Sequence, residues 1–251
     1  MTKTAWATSL LLIAIVAPFV TADDPKPIRA LIVTGGCCHD YDFQTKAMQK
    51  AASDRNVSID WTVVKDGGNG TDAQIDLYNN PDWAQGFHVV IHNECFADTT
   101  DADYIRKITS VHKVGVNAVV IHCAMHTYRA AKIDDWRELL GVTSRHHEHQ
   151  SRYAVHAVAV EHPVMQGFPN DYKTPKDELY VIEHVWPNTE VLARSTSEKT
   201  GETHPVIWTN KYGKARVFGT TYGHSNETFS DEVFLTTLTR GIQWAAGALG
   251  N

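Results

Sequence analysis

The sequence has no basic cluster. It contains 23 Lys and Arg residues against 29 Asp and Glu residues, which gives a net charge of −6. Nucleic-acid-binding domains usually concentrate positive charge on one face, so an acidic chain of this kind does not favour a nucleic-acid partner. After residue 22 the sequence also lacks any apolar run of membrane-spanning length, and it has no repeats or low-complexity segments. We therefore expect no membrane-embedded domain after that point.

Cysteine is scarce, at four residues: Cys37, Cys38, Cys95 and Cys123. Most of the chain lies outside the span that these cysteines could connect, so the spacing does not indicate a small disulfide scaffold. Two alternatives remain open. Cys37 or Cys38 could be bridged to Cys95 or Cys123, or all four could be buried thiols, whereas a bridge between the adjacent Cys37 and Cys38 is less expected.

The first 22 residues have the pattern of a secretory signal peptide. Lys3 precedes an apolar run, "SLLLIAIVAPFV", and the small-residue pattern "VTA" precedes Asp23. The run is too short to cross a bilayer comfortably, although an uncleaved membrane anchor is the alternative. We therefore predict cleavage near Ala22, a secreted or periplasmic location, and a single domain over residues 23–251.

The order of the predicted elements indicates an α/β fold. Short apolar strands, among them "IRALIVT" (28–34), "FHVVIH" (87–92) and "VNAVVIH" (116–122), alternate with helical patterns. After Gly141, strands follow one another with short links until a final helix. This pattern predicts a three-layer α/β domain, flavodoxin-like in its first half, with a mainly parallel central sheet and an antiparallel extension.

Polar side chains follow four of the predicted strands, in the segments "TGGCCHDY", "HNECFAD", "HCAMHTYR" and "TTYGHSNE". In open α/β sheets, ligands bind beyond the carboxyl ends of the strands. We therefore expect one crevice lined by His39, Asp40, His92, Glu94, Cys95, His122, Cys123, His126, Arg129 and His224.

Six segments in order resemble the ThuA-like (trehalose utilisation) family of the class I glutamine amidotransferase-like superfamily. They are "TGGCCHDY" (34–41), "HNECFAD" (92–98), "IHCAMHTYR" (121–129), "EHPVMQGFP" (161–169), "DELYVIE" (177–183) and "GKARVFGTTYGH" (213–224). The resemblance covers essentially all of residues 23–251 and implies the superfamily's fold and a role in sugar catabolism. It does not decide the chemistry, because one fold supports many reactions.

The resemblance also implies that glutaminase chemistry is lost. Amidotransferases of this superfamily have their nucleophilic cysteine on a Gly-x-Cys-x-Gly turn after the fourth strand. Here Ala124 aligns with that cysteine, Cys123 is one residue away, and the flanking glycines are missing. His224 is retained where the second catalytic motif would fall, but Glu227 is one residue too far along. A nucleophilic Cys123 is therefore only a weaker alternative.

We expect a secreted carbohydrate-metabolism enzyme that uses acid–base chemistry on a sugar or 3-keto-sugar derivative, as an isomerase, epimerase, lyase or hydrolase. The candidate catalytic residues are His122, Glu94 and His224. The candidate substrate-binding residues are His39, Asp40, His92, His126, Tyr128, Arg129, His147 and Glu178. The alternative function is a non-catalytic sugar-binding protein on the same fold, and a homo-oligomer is compatible with either.

Convergent histidines beside a carboxylate would also suit a divalent metal ion such as Zn, Mn or Co. The candidate ligands are His39, His122, His126 and His224. Without a metal, the same histidines would hydrogen-bond a polar substrate or the backbone. Both readings require the side chains of His39, His122 and His224 to surround one common cavity.

Overall fold

The computed structural model describes residues 1–3 and 26–250. Apart from its first three residues, the predicted signal peptide (1–22) lies outside the described residues, so its cleavage and export stay predictions. Within the described part of the chain, no helix has both the length and the apolar character needed to cross a membrane.

Ten strands and four α-helices make up the described domain. The strands are β1 (Ile28–Gly36), β2 (Ile59–Lys65), β3 (Val89–Cys95), β4 (Asn117–Ile121), β5 (Val142–Ser151), β6 (His156–Ala157), β7 (Asp177–Val185), β8 (Thr189–Thr196), β9 (Thr203–Tyr212) and β10 (Ala215–Thr220). The helices are α1 (Tyr41–Asp54), α2 (Ala102–Lys113), α3 (Asp135–Leu140) and α4 (Glu232–Ala245).

Eight of these strands form one mixed sheet in the order β2-β1-β3-β4-β10-β9-β8-β6. Neighbours from β2 to β10 run parallel, whereas β9, β8 and β6 add antiparallel pairs. This arrangement confirms the predicted mainly parallel sheet with an antiparallel extension. β5 and β7, by contrast, pair only with each other in a separate antiparallel ribbon.

The core lies on both faces of the sheet because the inner strands are apolar at successive positions. Along β1, Ala30 and Ile32 pack on one face, and Leu31 and Val33 pack on the other. Helices α1 and α4 cover the first face, and α2 and α3 cover the second. One face of α4 is apolar and buried, and its residues are Phe234, Leu238, Ile242 and Ala245.

A fully buried acid–base cluster connects β3 to α2. His92 Nδ1 is 2.9 Å from Glu94 Oε1, and His92 Nε2 is 3.0 Å from His112 Nε2. His112 Nδ1 donates to the carbonyl oxygen of Val116, and Tyr78 donates its hydroxyl hydrogen to Glu94. Burial lowers the pKa of His112 to about 3, so this ring is neutral and its Nε2 accepts from His92. One proton must then lie between His92 Nδ1 and Glu94 Oε1, since two lone pairs would otherwise face each other there.

We predict that Glu94→Ala destabilises the protein by about 3–5 kcal/mol, because removing one partner of a buried pair leaves the other unpaired. Urea denaturation measures the free energy of unfolding. Glu161→Ala is the matched control, since Glu161 is exposed and its loss should change stability by less than about 0.5 kcal/mol. Normal stability in Glu94→Ala would contradict this structural role.

Candidate functional site

The turn after β1 brings Cys37, Cys38 and His39 to the carboxyl edge of the sheet. Gly36 has a φ of 91°, and a Cβ atom at this position would overlap the carbonyl oxygen of Cys95 on β3. Only glycine therefore lets the end of β1 approach β3 so closely. Asp40 follows the turn, but its exposed side chain caps α1 by accepting from the backbone N–H of Phe43.

His122 occupies the strained position of the turn after β4. Its φ is 45°, and a short 3-10 helix begins at this residue. A non-glycine residue in this region of backbone space is costly, and such residues concentrate at functional sites. The family comparison aligned Ala124 with the nucleophile of this turn, but Ala124 has no exposed surface. Both His122 and Ala124 are buried, and Cys123 is the residue of this turn that lines the cavity.

The side chains of His39, His122 and His224 meet as predicted, although only His39 and His224 also line the cavity. The ring centroids are 4.9 Å apart for His39 and His122, 5.1 Å for His39 and His224, and 5.4 Å for His122 and His224. One ring nitrogen from each residue can be chosen so that all three lie within 4.8 Å of one another. These three residues, which come from three separate loops, are called the histidine trio below.

In two members of the trio, a hydrogen bond to a backbone carbonyl determines which ring nitrogen carries the hydrogen. His39 Nδ1 donates to the carbonyl oxygen of His224 at 2.9 Å, and His122 Nδ1 donates to that of Thr221 at 2.6 Å. Burial lowers the pKa of His39 to about 4 and that of His122 well below its ordinary value. Both rings are therefore neutral near pH 7, and the lone pair of each lies on Nε2.

Glu178 places a carboxylate among the imidazoles. Its Oε2 is 3.6 Å from His122 Nε2 and 3.5 Å from His147 Nδ1, and its Oε1 is 3.4 Å from His224 Nδ1. Burial opposes ionisation of Glu178. The contact with His224 and the electrostatic effect of the His224 and His147 rings nevertheless hold the pKa of Glu178 below its ordinary value. The same contact raises the pKa of His224. Glu178 is therefore ionised at the centre of the site.

Asp177 is a buried carboxylate of the site that the sequence analysis did not single out. Its fully buried carboxylate accepts from Thr228 Oγ1 at 2.6 Å and from the backbone N–H groups of Gly223 and His224 at 3.0 and 3.3 Å. Burial raises its pKa to about 6. The sequence did contain a signal for this residue, because Asp177 precedes Glu178 in the segment "DELYVIE". Neighbouring side chains of a strand point to opposite faces, so the two carboxylates would have separate surroundings.

The site opens into a cavity of about 340 Å³, a volume typical of small-molecule sites. Six of the predicted site residues line it: His39, His126, Arg129, His147, Glu178 and His224. Tyr180 also lines it and stacks on His126 with ring centroids 4.1 Å apart. His122 lies beneath these residues, 1% exposed, and contributes through the trio.

Four predicted site residues lie elsewhere. His92 and Glu94 both point into the buried acid–base cluster between β3 and α2. They do so because β3 continues to Cys95, and residues two apart lie on the same face of a strand. Tyr128 is buried against Tyr104 and Trp136, and Asp40 is the exposed helix cap. The expectation that His92, Glu94 and Asp40 face the crevice is wrong, and so is the prediction that Tyr128 binds substrate.

His126 is on the cavity wall but is not part of the trio. Its Nε2 is 3.2 Å from the hydroxyl of Ser144, and its ring lies flat against Tyr180. Among the described residues, the groups able to hold a metal ion include the trio but do not include His126. The prediction that His126 is a fourth ligand therefore fails on geometry.

All four cysteines are paired in the structure. Cys37 is bonded to Cys38, which is the pairing that was least expected, and Cys95 is bonded to Cys123. A cysteine held in a disulfide has no thiolate with which to attack a substrate. Cys123 in this state is therefore not a nucleophile.

The sheet order and the turn after β4 define an α/β domain with a mainly parallel central sheet. Residues 29–245 match the family model ThuA, described as trehalose utilisation. The chain belongs to the ThuA family, and this membership supports a carbohydrate-related role. No curated protein matches the sequence.

Solved structures agree with this fold. A ThuA-like protein from Parabacteroides merdae has a TM-score of 0.72 and 21% identity, covering 90% of this chain and 92% of that one. One from Bacteroides uniformis has a TM-score of 0.65 and 16% identity, covering 89% and 94%. A β-galactosidase from Rahnella sp. R3 has a TM-score of 0.52 and 14% identity, covering 85% of this chain but 31% of that one. Such identities show a shared fold alone.

We predict that His39 makes stability fall as the pH is lowered. Its pKa is about 4 in the folded protein against an ordinary 6.5, so the unfolded chain takes up a proton first as the pH drops from about 6.5 to about 4. The raised pKa of Asp177 acts in the opposite direction over part of this range. The contribution of His39 is therefore obtained from the difference in pH dependence between the wild type and a His39 variant, and not from the total pH dependence of the free energy of unfolding.

Urea denaturation at a series of pH values makes this comparison. The free energy of unfolding should depend less steeply on pH in His39→Gln than in the wild type. His156→Gln is the control, because His156 is exposed on β6 and should leave the slope unchanged. Equal slopes in all three proteins would show that His39 is not buried in its neutral form.

Proposed function

We propose that this protein is an enzyme that acts on a sugar or keto-sugar derivative by acid–base chemistry, as an isomerase, epimerase, lyase or hydrolase. One observation supports this most strongly: an ionised carboxylate, Glu178, lies within 3.6 Å of three imidazoles at the base of a cavity of about 340 Å³. A protein that only binds sugar has no need of such coupled proton donors and acceptors. The signal-peptide pattern supports action outside the cytoplasm.

The cavity wall suits a polyol. Arg129 and Asp98 supply charged groups of opposite sign that can bond to hydroxyl groups. The rings of His126 and His147 lie nearly parallel to Tyr180, at centroid distances of 4.1 and 5.6 Å, and present a flat surface beside these charges. Flat apolar surfaces next to a few polar groups are the usual composition of a small-molecule site.

Glu178 and His224 are suited to opposite halves of a proton transfer. Glu178 is held ionised, so it can accept a proton from a carbon next to a keto group. His224 has a raised pKa, so it can donate a proton to the oxygen that becomes negative. Glu178 Oε1 and His224 Nδ1 are 3.4 Å apart, so a small approach of the two groups would form the hydrogen bond that returns the proton to His224 after each turnover.

The histidine trio suits a divalent cation such as Zn, Mn or Co. Histidines that bind metals commonly donate their second N–H to a backbone carbonyl, as His39 and His122 do here. Their lowered pKa values keep the Nε2 lone pairs available. A cation held there would polarise a substrate carbonyl and stabilise the negative oxygen, while Glu178 accepts the proton. His224 would then be a ligand of the cation, so this arrangement is the alternative to His224 as the proton donor.

Deuterium exchange tests the proposed proton abstraction. In D₂O, the wild-type enzyme should exchange the hydrogen next to the keto group of a 3-keto-glucoside, as measured by proton NMR. Glu178→Gln should slow this exchange by a factor of about 10²–10⁴, because the amide cannot act as a base. Glu190→Gln, an exposed change on β8, is the matched control.

Two results would contradict the proposal. Exchange at the wild-type rate in Glu178→Gln would remove Glu178 from the reaction. Sugar binding by calorimetry without exchange, turnover or hydrolysis across a panel of sugars and keto-sugars would favour the alternative, a sugar-binding protein. Metal analysis of the purified protein and of His122→Ala tests the cation separately, since only the wild type should retain it.

A further inference from the structure

We propose that Cys38 is a reaction site for a small-molecule thiol, and that attack at Cys38 leads to the release of a thiolate at Cys123 within the cavity. The thiol opens the bond between Cys37 and Cys38, and Cys37 then takes Cys95 from the second disulfide. This inference is independent of the proposed sugar chemistry, because it rests on the position of the four sulfur atoms.

The two disulfides lie side by side and differ in accessibility. Cys38 is exposed and Cys37 is half-buried, whereas Cys95 and Cys123 are 3% and 8% exposed. Cys37 Sγ is 3.8 Å from Cys95 Sγ, so the two bonds are in contact. A thiol from solvent can therefore reach Cys38 far more easily than it can reach the inner bond.

The backbone holds these sulfurs together. In the parallel pairing of β1 with β3, Gly36 is the partner of Cys95. The lack of a side chain at Gly36 lets the two strands approach, and this places the next residue, Cys37, beside Cys95. The contact therefore follows from the register of the sheet, and it should persist when the bond between Cys37 and Cys38 opens.

The proposed reaction is two successive thiol–disulfide exchanges. The incoming thiolate bonds to Cys38 Sγ, and the electron pair of the broken bond leaves on Cys37. Cys37 then bonds to Cys95 Sγ, and the electron pair leaves on Cys123. Two disulfides exist before the reaction, Cys37–Cys38 and Cys95–Cys123. Two also exist afterwards, one between Cys38 and the small thiol and one between Cys37 and Cys95. The proton of the incoming thiol ends on Cys123. No oxidant or reductant is consumed.

The product has a reactive group in a new place. Cys123 lines the cavity, and its sulfur belongs to a group with His39 and Cys95 whose ligand atoms lie within 4.8 Å of one another. The free thiol of Cys123 would therefore lie next to a member of the histidine trio, His39. Exposure to a thiol outside would thus change the chemistry inside the cavity.

Peptide mapping after a single equivalent of glutathione tests the proposal. The oxidised protein is incubated briefly, quenched with acid, alkylated with N-ethylmaleimide, digested without reduction and analysed by tandem mass spectrometry. We expect glutathione on Cys38, maleimide on Cys123 and a peptide linked through Cys37 and Cys95. Maleimide on Cys37 with the Cys95–Cys123 bond intact would contradict the attack of Cys37 on Cys95. The absence of any glutathione adduct would contradict the attack of the small thiol at Cys38.

The double variant Cys37→Ser/Cys38→Ser is the control. It lacks the outer bond, so the same treatment should leave Cys95 and Cys123 bonded and Cys123 unlabelled. Circular dichroism before treatment establishes that the variant is folded. Equal labelling of Cys123 in the folded variant would show that thiols attack the inner bond directly, which would contradict the proposed route. If the variant does not fold, the wild-type bond pattern alone decides.

Discussion

The site depends on the hydrogen bonds that the buried carboxylate of Asp177 accepts. These bonds hold the loop after β10 through the backbone of Gly223 and His224 and the side chain of Thr228. Asp177 begins β7, and the next residue on that strand is Glu178. The contact between Glu178 and His224 therefore exists because Asp177 joins the ribbon of β5 and β7 to the central sheet at this point. Without these bonds, the carboxylate and the trio would belong to two separate parts of the fold.

Burial then determines the charge of each group. The strained turn after β4 places His122 beneath the cavity, where loss of water favours the neutral ring. His39 is neutral for the same reason. Glu178 remains charged because His224 compensates it. The site thus combines neutral imidazoles that have available lone pairs with one carboxylate, a set that can hold a cation or move a proton.

The sheet could be predicted from the sequence because parallel strands are buried on both faces and read as apolar runs. The meeting of His39, His122 and His224 followed from the rule that such strands end at one edge. Other features depend on details that no local pattern encodes. β3 extends to Cys95 through its pairing with Gly36, so Glu94 lies inside the strand and points into the core. The role of Asp177 and the pairing of the cysteines follow from contacts between segments far apart in sequence.

The central claim is that the rings of His39 and His122 are neutral at pH 7, with the hydrogen of each on Nδ1 and a free lone pair on Nε2. Nitrogen-15 NMR of the imidazole rings, with each residue assigned by its glutamine variant, reports which ring nitrogen holds the hydrogen. At pH 7 both rings should be neutral and protonated at Nδ1 only, since Nδ1 donates to a backbone carbonyl in each. A hydrogen on Nε2 in either ring, or a doubly protonated ring, would contradict this account of the site.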